Sequence, residues 1–227
     1  MDIPTDCPQR ERAGWTGDIS CYSPTAAYLM NVNKFLAKWL KDVALQQTED
    51  GLVGSIVPDV GLPSFMDGAA WWADAIIIVP YALYQAYGNK KVLEDQYESM
   101  VKWMNFLENR AKKTHRSRWF KKNPYKDYTI DYGFHWGEWQ EPGRPMSKDA
   151  IKGFFNPDFE VATAYYAHSA DLMVKIATAL GKSEDAEKYR ILFENIKKGY
   201  KYNYTLNGIV DSDRQCKYVR PIAFNLI

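Results

Sequence analysis

The chain has 227 residues, 46% of them hydrophobic, and its 29 basic and 28 acidic side chains leave a net charge of +1. This length and composition fit a single domain with a substantial core, and the interspersed charges indicate no nucleic-acid partner. The longest apolar run, residues 75–82, is too short to cross a bilayer and contains Pro80, so no membrane partner is expected either.

Cysteine usage points away from metal and disulfide chemistry. The three cysteines form no CxxC pair and show no metal-ligand spacing, and their odd number does not suggest a disulfide framework. We therefore expect no metal and no other cofactor. The first residues, which include Asp2, Pro4 and Asp6, lack the basic and apolar segments of a secretory leader.

The first distinctive segment is residues 6–18, which Pro and Gly are expected to keep from being helical. It holds three carboxylates, Asp6, Glu11 and Asp18, together with two arginines and Trp15. Chemistry on sugars needs carboxyl groups at two protonation levels and an aromatic face against the ring. We therefore interpret this segment as an active-site loop, with the glycines beside Trp15 leaving room for a ligand.

The same residues also have structural interpretations. Glu11 can be ion-paired with its flanking arginines, and Asp6 and Asp18 can act as helix caps or loop acceptors. Trp15 can simply pack the loop against the core. The residue types alone leave these alternatives open.

Helical periodicity follows the active-site loop. Apolar positions over residues 29–43 predict a first long helix that ends at the turn signature of residues 49–51. Residues 68–87 are apolar nearly all round, which predicts a helix packed on every side, kinked at Pro80 and ended by Gly88. Residues 93–107 predict an amphipathic third helix.

A long irregular passage, residues 114–156, comes next, and its many aromatic residues argue against disorder. Two further helical stripes, over residues 161–176 and 186–200, are joined by a short turn at 181–183. A sixth helix is expected to begin at Pro221.

No convincing strand pattern and no internal repeat is visible. The sequence therefore predicts an all-α fold of helical hairpins, joined alternately by short turns and long loops, which is how α/α barrels are built. We expect residues 1–227 to form a single domain.

Residues 3–18 closely resemble the signature of bacterial α-L-rhamnosidases of glycoside hydrolase family 78. A run of mostly polar residues that also contains Cys and Trp rarely arises by chance. Weaker matches follow in the order of the family and extend the resemblance over essentially the whole chain, at residues 54–59, 72–75, 79–84, 87–88, 137–139 and 213–218.

The resemblance implies a partial (α/α)6 barrel, about half of a six-hairpin toroid, from the N-terminal portion of a catalytic domain. It also implies release of terminal α-L-rhamnose with inversion at the anomeric carbon. By analogy, Glu11 is the general acid, while Asp6, Trp15 and Asp18 hold the rhamnose. Many family signatures carry an extra acidic residue between Arg10 and Glu11; we align Glu11 because the residues that follow it keep the family pattern.

The resemblance also suggests aromatic contacts to the sugar. Trp72 corresponds to the family's sugar platform, with the adjacent Trp71 as a competitor, and Trp139 and Trp136 are expected to form subsite walls. Glu138 is a further candidate for a contact to a sugar hydroxyl.

Several residues have structural interpretations instead. Asp74 is expected to supply negative charge at the start of the buried helix. His168 lies on an apolar stripe, which is typical of a core histidine.

In this family the water-activating glutamate lies in the C-terminal part of the barrel, so the chain is predicted to be a fragment that lacks the general base and is inactive alone. Half a barrel would leave apolar faces bare, to be covered by a homo-oligomer or by the remainder of its own barrel. The alternatives are a non-catalytic carbohydrate-binding or structural helical fragment and another (α/α)6 glycosidase. The compartment stays open between the bacterial cytoplasm and periplasm.

Overall fold

A computed structural model describes residues 2–113, 123–138, 159–210 and 212–227; the predicted wall residue Trp139 lies outside these ranges. The described residues are mostly helical, and a short antiparallel ribbon pairs β1 (Thr205–Leu206) with β2 (Ile209–Val210). The all-α prediction is confirmed. The helices are α1 (Thr16–Leu29), α2 (Asn33–Gln46), α3 (Ala75–Tyr87), α4 (Lys90–Lys112), α5 (Phe159–Ala179), α6 (Ser183–Tyr204) and α7 (Gln215–Ala223).

The helices pack around α3 and α5. Helix α3 contacts α1, α2, α4 and α5, while α5 also contacts α4 and packs along α6. The core includes Trp39 of α2 and Trp103 of α4, both fully buried.

Helix α1 corrects the sequence prediction at the start of the chain. The active-site segment becomes helical at Thr16, and Leu29 ends this helix instead of beginning the next one. The Tyr87 side chain closes the connection to α2, because its hydroxyl contacts the Met30 carbonyl at 3.1 Å and accepts from the Val32 amide at 3.2 Å.

Helix α3 is buried on nearly all sides, as predicted, and Gly88 ends it in the left-handed conformation with φ of 64°. The helix begins at Ala75 and not at Gly68, which is a second correction. Residues 68–74 form turns because both Gly68 and Trp71 have positive φ, which a right-handed helix excludes.

Helices α4 and α6 follow the predicted stripes, whereas α5 is buried well beyond its stripe, for example at Ala162, Ala167 and Met173. The turn between α5 and α6 at Gly181 has φ of 74°. Helix α7 begins six residues before the predicted Pro221, which lies inside it. Lys217 and Arg220 of this helix point toward Glu160, a carboxylate whose side chain is only 3% exposed. Ion pairing therefore covers a helix face that apolar periodicity does not reveal.

No helix of the described ranges combines the length and apolar character needed to cross a membrane. Several large apolar side chains are nonetheless exposed, among them Tyr28 (92%), Leu45 (84%) and Ile222 (65%). Their cover by a homo-oligomer or by the remainder of a barrel stays a prediction.

Candidate active site

The loop before α1 is closed by its own backbone. Asp6 and Ala13 form an antiparallel bridge, with the Asp6 amide donating to the Ala13 carbonyl at 3.1 Å. The Cys7 carbonyl accepts from the amides of Arg10 and Arg12 at 3.0 and 3.2 Å. This tight turn places Glu11 at its exposed tip.

Both oxygens of Glu11 have donors. The Trp15 indole N–H donates to Oε2 at 2.6 Å, and Arg10 contacts Oε1 at 2.7 Å. The Arg10 side chain is 74% exposed, so this ion pair is worth little free energy and a ligand can displace it. Trp15 is half-buried and fixes the carboxyl group more firmly.

Asp6 and Cys7 form a second pair beside Glu11. The Cys7 thiol donates to Asp6 Oδ2 at 2.8 Å, and this bond raises the pKa of the thiol, which disfavours a thiolate nucleophile. One ligand atom each of Asp6, Cys7 and Glu11 lies within 4.8 Å of the others, close enough to hold a cation. Within the described part of the chain no other such group of these residue types is found.

Asp18 lies in the first turn of α1, which directly follows this loop. Partial desolvation raises the pKa of its carboxyl group, and the negative charges of Asp6 and Glu11 raise it further. The three predicted carboxylates therefore share one electrostatic environment. A group of this kind can accept several hydroxyl hydrogen bonds and can hold a proton.

Three predicted tryptophans meet beside the carboxylates. Trp136 contacts Trp15 edge to face and Trp72 at a tilt, with ring centroids 5.7 Å apart in both cases. Trp15 precedes α1, Trp72 lies in the turn before α3, and Trp136 belongs to the irregular passage. We call this the aromatic wall (Trp15, Trp72 and Trp136); tertiary structure brings it together from three separate segments.

The glycines beside Trp15 do not leave room for a ligand, which corrects that expectation. A Cβ atom on Gly17 would lie 2.6 Å from the Trp72 ring, and one on Gly14 would clash with the Val57 carbonyl oxygen. Both glycines therefore allow close packing within the protein. Gly17 in particular lets α1 lie directly against the aromatic wall.

Residues 68–74, the turn that holds Trp72, have anchors that sequence reasoning missed. The Ala70 amide donates to His135 Nδ1 at 3.0 Å, and Arg110 donates to the Gly68 carbonyl. His135 is buried, and burial lowers its pKa to about 3, so the ring is neutral and Nδ1 can accept. The only sequence signal was the proximity of His135 to Trp136.

Asp74 lies at the N-terminus of α3, as expected, but its side chain makes no hydrogen bond to the first amides of that helix. Its fully buried side chain accepts from the Trp71 amide at 2.8 Å, from Trp103 Nε1 at 2.9 Å and from the Ser169 hydroxyl at 2.6 Å. Burial raises the pKa of this carboxyl group. The residue thus ties the turn to α4 and α5.

Glu138 and His168 complete the predicted residues. Glu138 is paired with Arg220 of α7 through one of its carboxylate oxygens, Oε1. His168 stacks on Phe224 with ring centroids 4.1 Å apart, and burial lowers its pKa to about 4, as suits a core histidine.

Comparison with known proteins places the fold in one class. The helical hairpins are those of a six-hairpin glycosidase domain. The sequence model of the bacterial α-L-rhamnosidase six-hairpin glycosidase domain family matches residues 1–227, and the chain belongs to this family.

Individual relatives agree. An α-L-rhamnosidase of Streptomyces avermitilis is 40% identical over the whole of this chain and 19% of its own length. One from Alteromonas sp. is 34% identical over the whole chain and 23% of its own length. The crystal structure of Streptomyces avermitilis α-L-rhamnosidase complexed with L-rhamnose has a TM-score of 0.82 at 38% identity, covering 99% of this chain and 19% of that one. The chain thus spans about a fifth of the length of these relatives.

Proposed function

We propose that the intact protein is an inverting α-L-rhamnosidase that releases terminal α-L-rhamnose, and that this chain supplies its general acid, Glu11. The observation that supports the proposal best is the convergence of Glu11, Asp6 and Asp18 in one electrostatic environment beside the aromatic wall. Glycoside hydrolysis uses a pair of carboxyl groups that flank the scissile bond.

Glu11 would donate its proton to the glycosidic oxygen as the bond from that oxygen to the anomeric carbon breaks. The Trp15 N–H holds Oε2, so the carboxyl group has a defined orientation before the substrate arrives. Arg10 lies on the exposed side and can move away from Oε1 when a sugar enters. Attack by water on the opposite face then inverts the anomeric carbon, and the general base takes the proton of that water.

The remaining predicted residues would bind the sugar. Asp6 is half-buried and Asp18 lies at the exposed start of α1, so both can accept hydrogen bonds from ring hydroxyl groups. Trp72 and Trp136 offer apolar faces from the aromatic wall. Trp139 joins them on the strength of the sequence resemblance.

We propose that the general base comes from a part of the protein outside residues 1–227. Inverting enzymes hold the acid and base about 6.5 to 9.5 Å apart, with water between them. Glu138, the described glutamate of the irregular passage, is paired with Arg220. The chain also spans only about a fifth of its relatives, which leaves ample sequence for the base.

The test is Glu11→Gln in the intact protein, assayed on aryl α-L-rhamnosides with leaving groups of different basicity. Loss of a general acid lowers kcat by about 10²- to 10⁴-fold. The effect should be largest for basic leaving groups, because these need the proton, and small for a dinitrophenolate. A uniform loss across the series would contradict the role of Glu11. Cleavage of an aryl glucoside but not of the rhamnoside would overturn the assignment of rhamnosides as the substrate.

A further inference from the structure

Trp71 has an unusual backbone conformation at the edge of the candidate site. Its φ of 73° lies in the left-handed region, which is a genuine outlier for a bulky side chain. Such residues persist only when the surrounding structure fixes them, and they concentrate at functional sites. The Trp71 ring stacks on Tyr165 of α5, with 5.7 Å between centroids and 2° between planes.

Asp74 is the group that holds this conformation. Its Oδ2 accepts from the Trp71 amide, while Oδ1 accepts from Trp103 of α4 and Ser169 of α5. Three donors converge on two oxygens, an arrangement that a carboxylate satisfies completely. The Ser20 hydroxyl of α1 adds a longer contact to the Trp71 carbonyl, at 3.3 Å.

The conformation of Trp71 sets the direction of Trp72. The two adjacent rings are 5.3 Å apart and tilted by 59°, one toward Tyr165 and the other toward Gly17 and Trp136. If the Trp71 backbone relaxed to negative φ, the chain direction into Trp72 would change and its ring would leave the face of α1.

We propose that Asp74 is a positioning residue, which fixes the left-handed backbone of Trp71 through its amide and thereby places Trp72 in the aromatic wall. The inference rests on the proposed function in one respect, namely that the aromatic wall binds rhamnose. Because Asp74 is bonded to α4 and α5, the same carboxylate links the wall to the two helices that support it. Substitution of Asp74 should therefore weaken substrate binding and change the near-ultraviolet circular dichroism of the tryptophans.

The test compares Asp74→Asn in two backgrounds of the intact protein, wild type and Trp71→Gly. An asparagine has one acceptor oxygen and one NH₂ group in place of the two acceptor oxygens of Asp74. Its NH₂ group must therefore face either the Trp71 amide or the Trp103 indole, and that N–H loses its acceptor. In the wild-type background we expect Kd for L-rhamnose and KM for an aryl α-L-rhamnoside to rise about tenfold, with kcat within about threefold. The near-ultraviolet circular dichroism of the tryptophans should change as well.

In the Trp71→Gly background the same Asp74 substitution should change Kd by less than about twofold, because glycine adopts positive φ without help. Ser169→Ala is the matched control. It removes one donor to Asp74 but leaves the Trp71 amide bond, so it should stay within about twofold of wild type. Equal losses in both backgrounds, or unchanged affinity and dichroism in Asp74→Asn, would overturn the proposal.

Two further outcomes remain informative. If Asp74→Asn alone does not fold, recovery of folded protein on adding Trp71→Gly supports the proposal, and failure to recover overturns it. If the wild-type protein binds no rhamnose, the proposed function fails, while the dichroism of the variants still decides whether Asp74 positions Trp72.

Discussion

The Trp15 indole N–H donates to Oε2 of Glu11 at 2.6 Å, four residues back along the chain. The bond crosses from the start of α1 to the exposed tip of the preceding loop. It joins the aromatic wall to the proposed proton donor, so Trp15 and Glu11 are oriented as one unit. The sequence placed both residues in one loop but could not show that they touch.

Trp15→Phe should separate these two contributions. Phenylalanine keeps an aromatic face but removes the N–H, and a hydrogen bond to a charged group is worth about 1.5–3 kcal/mol. We expect kcat on an aryl α-L-rhamnoside to fall by roughly ten- to a hundredfold in the intact protein, with a smaller rise in KM. Steady-state kinetics with a basic leaving group measure this.

Trp136→Phe is the matched control for that experiment. It removes an indole N–H that donates to Ser55 Oγ at a long 3.4 Å, away from Glu11. Its kcat should therefore stay within about threefold of wild type, since a neutral bond of this length contributes little. Equal losses of kcat in both variants would mean that the ring, and not the bond to Glu11, matters.

Gly17→Ala should displace Trp72. The added methyl group would lie 2.6 Å from the indole ring, and overpacking of this kind costs about 1–3 kcal/mol of stability. Chemical denaturation should show that loss, and titration of the intact protein with L-rhamnose should show weaker binding. Gly54→Ala is the control, because its methyl group would lie 3.2 Å from the nearest neighbouring atom. It should lose less stability and less rhamnose affinity than Gly17→Ala. Unchanged rhamnose binding in Gly17→Ala would exclude Trp72 from the sugar site.

Arg220→Met should destabilise the fold strongly. The guanidinium lies against Glu160 at 2.5 Å, and the two side chains are only 10% and 3% exposed. Removing one partner of a buried ion pair costs about 3–5 kcal/mol when the other charge stays buried alone, and here Lys217, 3.8 Å from Glu160, offsets part of that loss. Arg190→Met is the control, since its pair with Glu187 is 60% and 53% exposed and should contribute under about 1 kcal/mol. Thermal unfolding of both variants measures the two losses of stability, and equal shifts of Tm would contradict the buried position of the Arg220 ion pair.

Acid should destabilise the chain through two histidines, the buried His135 and the half-buried His168. Burial lowers the pKa of His135 to about 3 and that of His168 to about 4, both below the ordinary value for the unfolded chain. Between the folded and unfolded values the unfolded state binds more protons, so stability falls as pH falls below about 6.5. At pH 5 each histidine should remove about 2 kcal/mol relative to pH 7.

Urea unfolding of residues 1–227 at pH 7 and pH 5 measures this difference. His135→Gln isolates the contribution of one ring from those of the carboxyl groups, because only that titration is lost. The drop in stability between the two pH values should shrink by about 2 kcal/mol in this variant. An unchanged drop would mean that His135 is accessible to protons in the folded state.

The parts of the fold that the sequence predicted are those with a visible apolar period. Helices α4 and α6 each bury one stripe, and Gly88 ends α3 where predicted. Helix α1 was missed because small residues such as Gly17, Ser20 and Ser23 form much of its buried face, so no apolar stripe marks it. The start of α7 was missed because its inner face carries Lys217 and Arg220.

The candidate site divides in the same way. The sequence by itself determined the family, the fold class and the residue types of the site, because the signature around Glu11 and Trp15 is local and specific. Only the tertiary structure showed that Trp136 meets Trp15, that Gly17 accommodates Trp72, and that Asp74 reaches two other helices. These contacts join segments tens of residues apart, and a buried carboxylate can be recognised only once its donors from other helices are in place.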